Sequence, residues 1–178
     1  DWSINESHDL KFSFDYSAKT QGTFPWALSA AQIAQNRRQA RPGTESDSSG
    51  TDDFSLDLAH NWNIGTSSDL QTLFYYRFTG MESFYTSGTS QNTTREQKQA
   101  ENTYGLPIRL NTVLNILGMD HSVVTGIDLE QNGFNYEQNR APFQQRQGAP
   151  TSSYYVTKNR VGPYLQDEIK VIEALKVI

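Results

Sequence analysis

The feature that most constrains the fold of this chain is an alternation of apolar and polar residues. From Leu10 to Tyr16 every second residue is aromatic or aliphatic, and the residues between them are Lys11, Ser13 and Asp15. Successive side chains of a β-strand point to opposite sides of the sheet, so this segment has one apolar and one polar face. The same pattern predicts six complete strands, at residues 9–18, 54–64, 69–79, 103–117, 121–131 and 160–171, and two incomplete ones at residues 1–4 and 175–178.

The connections between these segments alternate between short and long. The short ones are rich in turn-forming residues and occupy residues 5–9, 65–68, 118–120 and 173–174. The long ones are polar and occupy residues 19–53, 80–101 and 132–159. Short turns at one end and long loops at the other are typical of an antiparallel up-and-down transmembrane β-barrel. The predicted strands also reach the length of about 9–11 residues that a membrane-spanning strand needs.

The predicted strands do not complete a barrel. A sheet in lipid has to close on itself, because hydrocarbon offers no hydrogen-bonding partner to an open edge. Six full strands and two stubs leave both edges open, so we expect residues 1–178 to be one partial barrel domain that continues beyond both ends of this sequence.

The composition agrees with a sheet that has one wet face, and it excludes several classes of protein. Hydrophobic residues make up 35% of the chain, aromatic residues 12%, and the mean hydropathy is -0.67. A net charge of -5 argues against nucleic acid as a partner. The chain has no cysteine, which excludes disulfides and cysteine-ligated metals, and no apolar run reaches the roughly 18 residues of a membrane-spanning helix.

Three segments resemble one known family. Residues 162–168 are Gly-Pro-Tyr-Leu-Gln-Asp-Glu, followed by an apolar turn and a new strand; this order resembles the G-x-Y-x-Q-D segment of TonB-dependent outer-membrane receptors. Residues 121–131 resemble a strand of that family that commonly has the pattern L-x-x-G-x-D, with Gly126 and Asp128 at the matching positions. Residues 20–43 resemble an extracellular loop of the family's iron-chelate receptors, those similar to the ferric citrate type.

The resemblance implies part of a roughly 22-stranded barrel in the bacterial outer membrane, a size class associated with plugged transporters. The plug domain and the remaining strands are expected outside this sequence. Such receptors import scarce nutrients, with energy supplied through TonB. We therefore expect a receptor and transporter for iron chelates, with a ferric siderophore or similar chelate, outer-membrane lipid and the TonB complex as partners. Haem, cobalamin or another nutrient are alternative ligands within the same family.

Two other kinds of protein remain as alternatives. A complete eight-stranded barrel that acts as an adhesin or structural anchor suits the length, but both of its terminal strands are too short to pair and close. A soluble β-sandwich that binds a ligand also alternates along its strands, and it predicts that the apolar residues pack inside a dry core.

Candidate ligand-binding residues lie in the long loops. Ser29 is a suitable N-cap with Gln32 three residues later, so a short helix is predicted there, ended by Pro42-Gly43. Arg37, Arg38 and Arg41 follow as a basic cluster that would attract an anionic chelate. Lipopolysaccharide phosphates or plain solvent are the alternative partners of this cluster.

A second candidate group lies in residues 139–147. Arg140 and Arg146 flank Phe143, and arginine beside an aromatic ring suits a catecholate or citrate chelate. Ordinary loop packing is the alternative that we favour for these residues.

Aromatic residues near the predicted strand ends are typical of membrane-interface girdles. We assign this role to Trp2, Trp62, Tyr75, Tyr76 and Tyr85. For the tyrosines, the lining of a ligand vestibule is the alternative.

The sequence supports no catalytic role. It has neither a nucleophile elbow nor a glycine-rich phosphate loop, and its carboxylates do not converge as a catalytic pair. His8, His60 and His121 are far apart in the chain and would ligate a metal only if the barrel brought them together. We therefore predict no enzyme activity, no cofactor and no metal site.

Overall fold

The structure is a computed structural model that describes residues 2–22, 29–37, 44, 47–87, 93–142, 150–172 and 175–177. Within them lie strands β1 (Trp2–Asn5), β2 (His8–Gly22), β3 (Ser48–Ile64), β4 (Ser68–Ser87), β5 (Thr93–Ile116), β6 (Met119–Pro142), β7 (Pro150–Ile172) and β8 (Leu175–Val177), and helix α1 (Ala30–Gln35). The strands form one antiparallel sheet in sequence order, with β1 and β8 as its edges. The described part of the chain contains no helix long and apolar enough to cross a membrane.

The predicted strands are present, but several of them extend far past their predicted ends. β5, β6 and β7 have 24, 24 and 23 residues, and much of residues 80–101 and 132–159, which we predicted to be loops, belongs to strands. Many of the added residues are polar on both sides of the sheet; Lys98 pairs with Glu137, and Gln97 with Gln138. Hydrophobic alternation gives no signal in such a segment, although backbone hydrogen bonds continue there unchanged.

A tight turn joins β5 to β6 at Leu117 and Gly118, which have φ values of 56° and 79°. Positive φ at both central residues is the requirement of a type I′ turn, whose twist matches that of a hairpin. Glycine adopts this conformation freely, whereas Leu117 does so with a side chain that is 93% exposed. The turn holds the register of the two longest strands.

One side of the sheet carries a continuous apolar surface, called the apolar face below. Phe14, Leu56, Tyr76 and Tyr104 are successive partners across β2, β3, β4 and β5. These side chains remain open to their surroundings; Phe14 is 56% exposed, and Leu165 on β7 is 74% exposed. A β-sandwich would cover this face with a second sheet, whereas all the described strands belong to one sheet.

The residues in between form the opposite side, called the polar face. Its character is shown by one row of partners that crosses β3 to β7, namely Ser55, Arg77, Thr103, Asn132 and Lys158. The single sheet therefore separates an apolar surface from a polar one by the thickness of one strand.

Two tyrosine rings on the polar face lie across glycines of the neighbouring strand. Tyr75 is paired with Gly105 and Tyr164 with Gly126, and a Cβ added at either glycine would overlap the tyrosine ring. Gly126 and Tyr164 come from the two strand motifs that resemble the receptor family, so the motifs are partners in the sheet. Asp128 and Gly162, of the same motifs, are also paired.

We expect the substitution Gly105→Ala to lower the free energy of unfolding by about 1–3 kcal/mol, because a methyl group forced into a packed site displaces its neighbours. The measurement is urea unfolding of the full-length protein in detergent micelles. Gly162→Ala is the matched control, since its added Cβ meets nothing nearer than Cβ of Asp128 at 3.9 Å. In a Tyr75→Ser background, Gly105→Ala should cause almost no further loss of stability, because the ring that the added methyl group meets is gone. An equal decrease in the free energy of unfolding for Gly105→Ala and Gly162→Ala would contradict the packing of the Tyr75 ring against Gly105.

Candidate functional site

A network of charged side chains crosses the middle of the polar face. On β3 and β4, Nη2 of Arg77 lies 2.6 Å from Oδ1 of Asp57, and the Arg77 guanidinium stands 5.2 Å from the centre of the Tyr75 ring. The Tyr75 hydroxyl donates to Oε2 of Glu130 at 2.7 Å. The same carboxylate oxygen accepts from Nη2 of Arg160 at 2.9 Å. These contacts join β3, β4, β6 and β7 through side chains alone.

The network depends on Gly105. Strand β5 lies between β4 and β6, so the Tyr75 side chain has to cross it to reach Glu130. Gly105 is the residue of β5 directly opposite Tyr75, and its lack of a side chain leaves the necessary space. One glycine therefore allows a hydrogen bond between strands that are not neighbours.

The cations of this network are more exposed than the anions. The side chains of Arg77 and Arg160 are 43% and 60% exposed, whereas those of Asp57 and Glu130 are 28% and 22% exposed. A ligand that approaches the polar face would therefore contact the guanidinium groups first, because the carboxylates that bind them are less exposed.

An aromatic cluster lies on the same face, further from the short turns. The rings of Tyr136 and Tyr154 stack at 5.0 Å between centroids, and Phe134 lies 6.0 Å from Tyr154. Nε2 of Gln97 donates to the Tyr136 hydroxyl at 3.0 Å. We did not predict these residues as part of a site, because they fall in residues 132–159, which we expected to form a loop; the alternation of Phe134 and Tyr136 was the available signal.

Two arginines face each other at the far end of the polar face. Arg95 on β5 and Arg140 on β6 are direct partners in the sheet, and like charges opposite each other repel. Nε of Arg95 is buried and has no hydrogen-bond partner among the described residues. The described ion pairs include neither arginine. Among the described residues, this pair therefore has one buried donor without a partner and no ion pair with a carboxylate, which is the chemistry of an anion-binding site.

The structure describes only some of the residues that we proposed as ligand contacts. Helix α1 begins after the N-cap Ser29 with the predicted capping box, but it ends at Gln35, before Pro42-Gly43. Arg37 is exposed in the turn that follows. The other predicted contacts of these two groups, apart from Arg140, lie outside the described residues: Arg38, Arg41, Phe143 and Arg146.

The predicted girdle tyrosines separate onto two faces. Tyr76 lies on the apolar face, where its ring is 4.9 Å from that of Tyr104. Tyr75 lies on the polar face instead, because successive residues of a strand point in opposite directions; of its two predicted roles, this side of the sheet favours the lining of a vestibule. Tyr85 is an even number of residues from Tyr75 along β4, so it shares the polar side, where it pairs with Arg95.

The two tryptophans assigned to the girdle lie near the short turns. Trp62 is on the apolar side of β3, where its ring stacks on that of His8. Trp2 belongs to β1, and its side chain is outside the described part of the structure.

Among the described residues, no three His, Asp or Glu side chains are grouped so as to hold a metal ion.

We expect Tyr75→Phe to lower the free energy of unfolding by about 1–2 kcal/mol, because it removes a hydrogen bond to a carboxylate. Tyr16→Phe is the matched control, since the Tyr16 hydroxyl is exposed and lies 3.5 Å from Asp52. Urea unfolding of the full-length protein in micelles measures both. In a Glu130→Ala background Tyr75→Phe should have almost no further effect; an unchanged cost there would show that the hydrogen bond is not the cause.

Comparisons with known proteins agree with this geometry. The family model described as TonB dependent receptor-like, beta-barrel, matches residues 1–178. No curated protein matches the chain. The crystal structure of the ferric citrate transporter FecA in the unliganded form is similar in fold, with a TM-score of 0.75 and 14% sequence identity. The match covers 94% of this chain and 25% of the FecA chain, so the present chain spans a quarter of that transporter's length.

The fold class expected from the alternation of residues, an antiparallel wall of a transmembrane β-barrel, is confirmed by these matches. Proteins of the matched family are bacterial outer-membrane transporters rather than enzymes. Since the family model covers the whole sequence, the chain belongs to the TonB-dependent receptor-like β-barrel family.

Proposed function

We propose that the protein is an outer-membrane receptor and transporter for an anionic iron chelate of the siderophore type, energised through TonB. The observation that carries the proposal is the opposed pair Arg95 and Arg140 on the polar face. Two guanidinium groups without described counterions favour a ligand that brings negative charge. The fold shared with a ferric citrate transporter supports the same class of ligand.

In this proposal the apolar face contacts lipid and the polar face lines the barrel lumen. From Tyr104 to Ile116 the strand advances roughly 40 Å at ~3.3 Å per residue, or about 28 Å of height at a tilt near 45°. This height matches the apolar band of an outer-membrane barrel, about 25 Å. Tyr76 and Tyr104 would mark its outer border and Trp62 its periplasmic border, as interfacial aromatic residues do.

The strands continue beyond that band on the extracellular side. Arg95 and Arg140 lie near the extracellular ends of β5 and β6. The Tyr136–Tyr154 stack lies between this pair and the central Arg77–Arg160 network. A chelate entering from outside would therefore meet the arginine pair first, then the aromatic rings, and then the charged network of the wall.

In this proposal, segments outside residues 1–178 carry out the remaining steps of transport. A plug inside the barrel and a segment that contacts TonB belong to the proposed mechanism. The loop arginines Arg37, Arg38 and Arg41, together with Arg146 and Phe143, remain predicted contacts of the same chelate. Haem or cobalamin is the alternative ligand, and it would rely more on the aromatic rings than on the arginines.

The test begins with a strain that lacks the full-length gene, grown in iron-limited medium with one iron source at a time: ferric citrate, a ferric catecholate, a ferric hydroxamate or haem. We expect the strain to lose growth on one anionic chelate and to regain it with the wild-type gene. Loss of growth on haem alone, or on cobalamin as the sole cofactor source, would refute the iron-chelate assignment.

For the chelate identified in this way, we expect Arg95→Gln and Arg140→Gln each to weaken binding by at least about tenfold, the loss of roughly one charged hydrogen bond. Binding of the radioactive iron chelate to whole cells measures the affinity. Arg109→Gln is the control, because Arg109 is on the same face near the short turns, where its Nε donates to Asn111 at 2.9 Å. Equal affinities for all three variants would remove the arginine pair from the ligand site.

A further inference from the structure

The structure brings together two histidines that are far apart in the sequence. Nδ1 of His8 lies 3.0 Å from Nε2 of His60, and the two ring planes are parallel within 1°. They belong to neighbouring strands, where His8 is paired with Trp62 and His60 with Leu10. Both side chains therefore lie on the apolar side of the sheet, beside the short turns.

The surroundings hold the two rings in this arrangement. The His8 ring stacks on Trp62, with 5.4 Å between centroids and 17° between planes. The strands that carry the histidines are paired without a break from His8 to Gly22. The facing nitrogens are thus held close together by a regular sheet and an aromatic neighbour, and a rotation of each ring would direct both nitrogens to one ion.

We propose that His8 and His60 form a two-imidazole binding site for a divalent transition-metal ion, with Cu²⁺ as the preferred ion. Two cis ligands about 2 Å from a square-planar ion are roughly 2.8 Å apart, and those of a tetrahedral ion roughly 3.3 Å apart. The observed 3.0 Å separation lies between these values. Square-planar geometry and the highest affinity for nitrogen ligands among the divalent ions both belong to Cu²⁺.

Metal binding at this pair requires that both facing nitrogens carry no proton. Without metal, one facing nitrogen carries a proton and donates to the lone pair of the other. In the complex both facing nitrogens are bare, and the protons lie on Nε2 of His8 and Nδ1 of His60. Water molecules complete the coordination, since no third protein ligand is grouped with the pair among the described residues.

The third histidine is in a different environment. Nδ1 of His121 lies 2.8 Å from Oδ2 of Asp167, and the His121 ring is 8% exposed. A buried imidazole held by a carboxylate has less freedom to bind an added ion than the facing nitrogens of His8 and His60. His121→Asn is therefore a control that removes a histidine and keeps a hydrogen-bond donor for Asp167.

The experiment uses the full-length protein in detergent, purified without a histidine tag, with CuCl₂ as the probe. Equilibrium dialysis counts bound Cu²⁺, and electron paramagnetic resonance reports the number of equatorial nitrogens. The variants are His8→Asn, His60→Asn, the double variant and the control His121→Asn. The β-sheet circular dichroism spectrum of each variant shows whether it has folded.

We expect the wild type and His121→Asn to bind one Cu²⁺ with a two-nitrogen signature that both single variants lose, with at least about tenfold weaker affinity. Because both rings bind the same ion, the double variant should be no weaker than either single variant. Should one variant fail to fold, the other still decides the matter, since either substitution breaks the chelate. Retention of the same Cu²⁺ ion and signature in a folded single variant would overturn the proposal.

Discussion

Backbone hydrogen bonding between strands that are neighbours in the sequence is the constraint on which the rest of this structure depends. Strands β3 to β6 are paired on both sides along most of their length, whereas β2 and β7 are paired in this way on one side only. In lipid an unpaired amide or carbonyl group costs several kcal/mol, so the ladder has to be complete before any side chain matters. Its register then decides which side chains share a face, because a slip of one residue would exchange the apolar and polar faces.

The polar face shows how side chains add to that ladder. The contacts of Asp57, Arg77, Tyr75, Glu130 and Arg160 connect four strands, and they close only because Gly105 has no side chain. Buried or half-buried ion pairs contribute modestly to stability and more to a fixed arrangement. We infer that this network holds the four strands in a fixed relative arrangement.

The sequence predicted the apolar parts of the strands well and the polar parts poorly, for a physical reason. Alternation between Leu10 and Tyr16, or between Phe54 and Trp62, exists because one side of the sheet is apolar. In the part of β5 that precedes Tyr104 and carries Arg95, polar residues lie on both sides of the sheet, so this extension has no such pattern and resembles a loop. Capping at Ser29 was predictable because it depends on neighbours three residues apart.

The functional contacts were less predictable than the strands, since they join residues that are distant in the chain. Tyr75 and Tyr76 are adjacent in sequence and were assigned together, yet they lie on opposite faces. His8 and His60 are 52 positions apart, and only the register of β2 with β3 makes them neighbours. Arg140 is predicted as a ligand contact because Phe143 and Arg146 lie near it in the sequence, whereas its partner Arg95 is identified only by the pairing of β5 with β6.

In the proposed function, the polar extensions of β5, β6 and β7 would lower the entropic cost of binding a ligand. Ordering a flexible loop around a ligand loses conformational entropy worth about 1–2 kcal/mol for each residue fixed. Here the corresponding backbone is already a hydrogen-bonded sheet. The conformational entropy is therefore lost when the protein folds and not when the ligand binds. The outer rim of the wall is therefore preorganised, and more of its interaction energy with a chelate would remain as affinity.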